Sequence, residues 1–318
     1  MAKADQLKAL IKSYLADNDK EKFKVLSLQI AAYEARKGHL ALANEIKEII
    51  DRSQKDNKKI IQFTPDLSDL LLLTKSKGYL KELIVSNNLD SKINRILKEY
   101  NNKEKLYKHG LSNRRKLLLV GAPGTGKTMT ASVIATELGL PLYTVQMDKL
   151  INKYMGETGA KLRQIFDIIK NKHGVFLFDE FDAIGSERTT ENEVGEMRRV
   201  LNSFLQFIEN DESESLILAA TNNISLLDQA LFRRFDDILD YNKPDEKQIN
   251  ILLKNKLAGF KKDFKTVSVV KCAMGLSHAD ITRACVDAIK DIILNDMDRI
   301  TKDSLCKFLN DRKGVYSS

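Results

Sequence analysis

Gly121, Gly126, Lys127 and Thr128 stand at the spacing G-x-x-x-x-G-K-[ST] inside LLLVGAPGTGKTMT, where an apolar run meets a helical pattern. Glycines at such a junction let successive backbone N–H groups turn inward around phosphate oxygens, and the following helix N-terminus adds its dipole. The stretch Pro123, Gly124, Thr125, Gly126, Lys127, Thr128 and Met129 is therefore expected to cradle the phosphates of ATP. Lys127 would bridge the β- and γ-phosphates, and Thr128 would offer its hydroxyl to Mg²⁺. In VFLFDEFDAI, four apolar residues lead into Asp179 and Glu180, which puts two carboxylates at the end of a buried strand. Asp179 suits the Mg²⁺ shell. Glu180 suits a base that orients and polarises an attacking water, an acid that a kinase would not need.

Two further stretches fit the same chemistry. LILAATNN delivers Thr221 and Asn222 to the same edge, where an Asn side chain can hydrogen-bond the γ-phosphate or the water. In LLDQALFRRFDD, Arg233 and Arg234 lie far along the chain from the phosphate loop. They suit a finger lent to a neighbouring subunit, a contact that raises hydrolysis by about 10³–10⁵.

The elements that must hold these residues are short apolar or β-rich runs at 117–120, 141–145, 175–178, 216–220 and 236–241, separated by helical segments. Near-continuous apolar strands alternating with helices mean a parallel sheet covered on both faces. Beyond Pro244 the chain reads as helices at roughly 246–257, 266–273, 278–294 and 302–312, with Asp245, Ser277 and Thr301 as N-caps and Gly275 as a stop. At the other end, Leu7, Leu10, Ile11, Tyr14 and Leu15, then Phe23, Leu26, Ile30 and Tyr33, then Leu42, Ile46, Ile49 and Ile50 make three helical stripes. The expected division is a helical N-terminal piece over 1–55, a linker over 56–84, an α/β core over 85–242 and a helical C-terminal domain over 243–318.

Composition narrows the class. Three cysteines without CxxC spacing argue for buried thiols over a disulfide framework or a zinc site. The net charge of +8 comes from lysines interleaved with acids, with no nucleic-acid-binding signature, so a solvated surface is favoured over a nucleic-acid face. No apolar run approaches a membrane span and no secretory segment opens the chain, so a cytoplasmic location with no membrane contact is expected.

The phosphate loop, the DEFD and ATNN strand ends, the DQALFRRFDD box and the helical tail, in that order, resemble the AAA+ ATPases. The closest likeness is to the clade of katanin, spastin and the Cdc48-like unfoldases, as in compact bacterial members with a small helical extension. The resemblance covers about residues 85–300. It implies five parallel strands in order 5-1-4-3-2, a helical lid over the nucleotide, and a ring, usually a homo-hexamer. It also implies Glu180 as hydrolytic base, Asn222 as sensor, and Arg233 and Arg234 as fingers acting in trans. In KLINKYMGETGAKLRQIF, spacing alone would let Tyr154 and Met155 cap the core ahead of the helical face Leu162, Ile165, Phe166 and Ile169. In the resembling family the loop after the second strand lines the central pore, which makes Lys153, Tyr154 and Met155 a grip on extended polypeptide, by stacking and dispersion. Residues 186–196 could form a second pore segment hinged at Gly195, or a solvated loop. The clade usually has Gly where this chain has His278; the imidazole either faces the nucleotide or is an exposed first-turn residue.

Two functions remain open at this level. One is a protein-remodelling or unfolding motor that threads a polypeptide through a ring. The other is an ATP-controlled assembly switch that regulates a partner enzyme, such as a protease or defence effector, without threading.

Overall fold

The computed structural model describes residues 69–153, 157–181, 191–223 and 232–314, together with Ser27 and Ile30. The chain divides into two units, residues 1–62 and 63–318. In the first, Ser27 and Ile30 are helical and buried. The rest of the expected N-terminal helices, together with Tyr154, Met155 and residues 186–190, lie outside the described residues.

The second unit carries a six-stranded sheet. In chain order its strands are β1 (Leu71–Thr74), β2 (Lys116–Gly121), β3 (Leu142–Val145), β4 (Val175–Phe178), β5 (Leu216–Thr221) and β6 (Asp237–Tyr241). The spatial order is β1-β3-β4-β5-β2-β6, with every pair parallel except β1 against β3. Numbered from the phosphate-loop strand, the five parallel strands stand in the expected order 5-1-4-3-2. β1 is a correction: it lies within the stretch expected to be linker, and Leu71 pairs with Val145 and Thr74 with Leu142. A 3₁₀ turn at Leu80–Glu82 also falls within that stretch.

The helices are α1 (Asn87–Asn101), α2 (Lys103–Tyr107), α3 (Lys127–Leu138), α4 (Met147–Lys153), α5 (Thr158–Asn171), α6 (Glu191–Glu209), α7 (Glu246–Lys256), α8 (Val270–Ala273), α9 (His278–Leu294) and α10 (Lys302–Gly314). Strand side chains alternate between two apolar layers, as a pleated backbone requires. Leu117 and Leu119 of β2 pack with α1 and α3, while Leu118 and Val120 pack on the opposite face with α4, α5 and α6. Both faces are therefore covered, which is why the strands read as unbroken apolar runs. The predicted stripe Leu162, Ile165, Phe166 and Ile169 of α5 is buried in the second layer.

A separate apolar cluster holds α7 to α10, from Ile249, Leu252 and Leu253 to Leu305 and Leu309. Asp245 and Ser277 start α7 and α9 with capping boxes, each side chain accepting from the third helical amide. Three further expectations change. The helix expected at 266–273 is a 3₁₀ turn over Thr266–Val269 followed by the short α8. Cys272 and Cys306 are not thiols but a disulfide joining α8 to α10, and Cys285 is the free, buried cysteine. Residues 191–196, read as part of a loop, open α6 instead, with Gly195 inside the helix. Among the described residues no helix is long and apolar enough to cross a membrane, and no cluster of three metal-ligating side chains occurs.

Candidate nucleotide-hydrolysis site

The loop between β2 and α3 opens onto a cleft of about 830 Å³ at the C-terminal edge of the sheet. Its floor is the predicted stretch from Pro123 to Met129, and Asp179, Glu180 and Asn222 stand across from it. Three strands, β2, β4 and β5, thus bring their C-terminal residues to one place, as ligand sites of open α/β sheets require.

Lys127 is buried, and its Nζ donates to the carbonyls of Gly121 (2.6 Å) and Ala122 (3.0 Å) and to Asn222 Oδ1 (2.8 Å). The ammonium is thereby held at the mouth of the loop and tied to the end of β5. Thr128 Oγ1 donates to Asp179 Oδ2 at 2.8 Å, so the predicted hydroxyl and carboxylate of the metal shell are already in contact. A hydroxyl beside a carboxylate is an oxygen donor pair suited to Mg²⁺, which is bound through few protein ligands and phosphate oxygens. The residues present fit the ion. Glu180 is exposed with φ +54°, a left-handed backbone uncommon for a residue with a side chain. Its amide donates to Asp179 Oδ1 at 3.0 Å, which braces this turn and leaves the Glu180 carboxylate in the cleft.

The lid completes the walls. Leu252 and Lys256 of α7, Ala279, Thr282 and Arg283 of α9, and Leu83 and Ile84 ahead of α1 also line the cleft. None of these was singled out by sequence reasoning, since their convergence depends on how the lid docks. That docking is direct. Ala279 N donates to Gly124 O at 3.0 Å, and a Cβ on Gly124 would sit 2.6 Å from Ser277 Oγ and 2.9 Å from Ala279 Cβ. Gly124 has φ +73°, so both its backbone angle and its contact with α9 call for glycine.

His278 also lines the cleft and is half-buried. Burial pushes its imidazole below the ordinary histidine value, offset in part by the backbone of Ile84, and neither ring nitrogen makes a hydrogen bond of normal geometry. On its other side lies a small cavity of about 20 Å³, shared with Thr125 and Tyr241. Tyr241, another residue missed from sequence, is buried with its hydroxyl raised in pKa by desolvation.

The two arginines part company. Neither lines this chain's own cleft. Phe235 is buried in the core, and the Asp236 carboxylate accepts from the amides of Arg115 and Lys116 at 2.8 and 2.9 Å, so the RRFDD turn is anchored on its C-terminal side. Arg234 pairs with Glu209 at the end of α6. Arg233 is exposed, with no ion pair or hydrogen bond among the described residues. Lys153 ends α4, and Tyr154 and Met155 lie outside the described residues.

A parallel sheet with a phosphate loop, strand-end acids facing it and a helical lid defines a P-loop nucleoside-triphosphate hydrolase. Comparison with known proteins narrows this. The family described as "ATPase family associated with various cellular activities (AAA)" matches residues 117–243. An uncharacterized AAA family ATPase, y4kL, of Sinorhizobium fredii is 32% identical over 98% of this chain and 96% of its own length. The proteasome-activating nucleotidase of Methanoregula boonei is 33% identical over 61% of this chain, which spans 47% of that relative. The crystal structure of the FIGL-1 AAA domain superposes with a TM-score of 0.63 at 21% identity, covering 81% of this chain and 95% of that one, a likeness of fold. The chain belongs to the AAA family of ATPases. It binds ATP and hydrolyses it to ADP and phosphate.

Proposed function

We propose that this ATPase is a protein-remodelling motor that works as a homo-hexameric ring and draws polypeptide through a central pore. The observation that carries the reading is the split in the hydrolytic set: Lys127, Thr128, Asp179, Glu180 and Asn222 converge in one cleft, while Arg233 stands unpaired outside it. An exposed arginine that lies outside its own chain's cleft fits a site completed by a neighbouring copy, beside the Arg283 that the lid already supplies.

In this mechanism Lys127 exchanges the carbonyls of Gly121 and Ala122 for phosphate oxygens when ATP enters. Thr128 and Asp179 would hold Mg²⁺, which would supply positive charge to offset that of the phosphates. Glu180 takes the proton of the attacking water. Asn222 hydrogen-bonds that water or the γ-phosphate, and through its bond to Lys127 relates the end of β5 to the state of the loop. Arg233 of one subunit offsets charge developing in its neighbour's cleft, and Arg234, paired with Glu209, holds the turn that presents it. His278 lies against the nucleotide at the lid. Lys153, Tyr154 and Met155 grip the substrate, residues 1–55 select it, residues 85–242 form the motor core and 243–318 the lid. Work on cytoplasmic proteins fits the charge-interleaved composition, and a relative named for activating a proteasome supports the choice of substrate class.

The direct bond from Ala279 to Gly124 favours a second reading, an assembly switch driven by lid closure alone. Light scattering of the Glu180→Gln variant with ATP separates a ring from a monomer. A mass of about six subunits is expected, and a monomer at every nucleotide concentration removes the finger and pore roles. On the assembled ring, Tyr154→Ala should keep ATP turnover and lose retention of an unfolded casein probe; unchanged retention selects the switch.

A further inference from the structure

The disulfide between Cys272 and Cys306 lies in the lid, and neither cysteine lines the nucleotide cleft. It closes a loop over a sequence separation of 34 that contains all of α9, the helix whose first turn touches the phosphate loop. The path from sulfur to phosphate loop is short and rigid. Cys272 sits in α8, which ends at Ala273; Leu276 N donates back to Ala273 O at 3.2 Å, and Lys243 Nζ donates to the carbonyl of Gly275 at 2.7 Å. Ser277 follows as the N-cap of α9, against Gly124, and Ala279 donates its amide to the Gly124 carbonyl. Four residues therefore separate Cys272 from Ser277, whose side chain lies against Gly124 of the phosphate loop.

Two properties make this bond suited to reversible chemistry. Both cysteines are half-buried, whereas Cys285 is buried and its thiol pushed up to about 12 by desolvation, which disfavours its exchange. The lid also has an apolar core apart from the bond, in which Val269, Val270, Ala273, Leu305 and Leu309 pack α8 and α10 into a common cluster. Breaking the bond leaves a folded lid whose α8–α9 turn is less tightly held.

We propose that Cys272 and Cys306 form a thiol–disulfide exchange site for low-molecular-weight disulfides of the glutathione class, and that the bonded form tightens the lid's grip on nucleotide. The chemistry balances with that co-reactant. The thiolate of one cysteine attacks a sulfur of glutathione disulfide, forming a mixed disulfide and releasing one glutathione thiolate. The second cysteine thiolate then attacks the protein sulfur and expels the second. Two electrons pass from the protein thiols to glutathione, and the two protein protons end on the leaving thiolates. In a reducing compartment such a bond is transient and responsive, which is the setting in which protein disulfides act as sensors. Because coupling is reciprocal, whatever factor the bond adds to nucleotide affinity, nucleotide adds to the bond.

The inference rests on nucleotide occupying the cleft, and the experiment keeps the two apart. The full chain is equilibrated with glutathione disulfide or with dithiothreitol, thiols are counted with Ellman's reagent after denaturation, and ADP affinity is measured by calorimetry after removing the redox agents. One thiol is expected in the first sample and three in the second, with ADP bound about fivefold more tightly in the first, a coupling of about 1 kcal/mol. Cys306→Ser should hold the reduced affinity under both treatments and still unfold cooperatively; Cys285→Ser should keep the fivefold difference. Three thiols after treatment with glutathione disulfide, equal affinities in the two samples, or the same difference in Cys306→Ser would overturn the proposal. Failure of both samples to bind ADP would instead overturn the nucleotide reading itself.

Discussion

Substituting Gly124 by alanine should open the lid, and the structure allows the effect to be divided. Gly124 and Gly126 both have left-handed backbones, with φ of +73° and +110°. An L-residue there costs about 1–2 kcal/mol, so Gly124→Ala and Gly126→Ala share this strain. They differ in their surroundings. Nothing lies within 4 Å of a Cβ on Gly126, whereas a Cβ on Gly124 collides with Ser277 Oγ and Ala279 Cβ of α9. Overpacking of that kind costs about 1–3 kcal/mol, and here it can be relieved by moving the lid away. Gly124→Ala should therefore bind ATP about 5- to 150-fold more weakly than Gly126→Ala, since about 1.4 kcal/mol corresponds to a factor of ten. Calorimetric titration of both variants with ATP, beside limited proteolysis of the nucleotide-free proteins, reads affinity and lid position separately. Equal affinities and equal cleavage patterns would refute the idea that α9 is docked on the phosphate loop through this contact.

Two other outcomes follow from the site. Glu180→Gln should keep ATP affinity and slow turnover by about 10²–10⁴, as loss of a general base does; turnover within threefold of the unaltered enzyme would move the base elsewhere. His278 is held below its ordinary pKa in the folded chain, so the folded state binds fewer protons than the unfolded one as pH falls below about 6.5. Stability is then greatest above that value and declines toward the lowered pKa. The urea midpoint should drop less between pH 7.5 and 5.5 in His278→Gln than in the unaltered protein, and equal drops would show that this imidazole does not titrate in a buried setting.

Much of the core was legible because its signals are local. The buried strands announce themselves as apolar runs, and the glycine–lysine–threonine turn, the strand-end acids and the caps at Asp245 and Ser277 each declare their geometry within a few residues. The rest depends on partners distant in sequence. Leu71–Thr74 shares the apolar run Leu70 to Leu73 with the buried strands, but it is four residues long and three of them are exposed, Leu73 at 70%, so it reads as neither a buried strand nor a period of two. Only its antiparallel register with β3 makes it a strand. The cysteine pair carries no motif spacing and exists because α8 and α10 pack against each other. Arg233 and Arg234 look equivalent in sequence, and it takes the fold to bring Glu209 to one and leave the other exposed.

The left-handed backbone at Glu180 sets the fold and the chemistry against each other. A side chain at φ +54° costs about 1–2 kcal/mol, a strain that glycine would not bear. Glu180→Gly should thus unfold at a higher temperature than the working enzyme while having lost its base. Random mutation under selection for folding alone would drift toward that dead and sturdier protein. Keeping a glutamate at this turn requires continued selection for hydrolysis, and a copy released from that demand would be expected to lose its acid here before its sheet showed any damage.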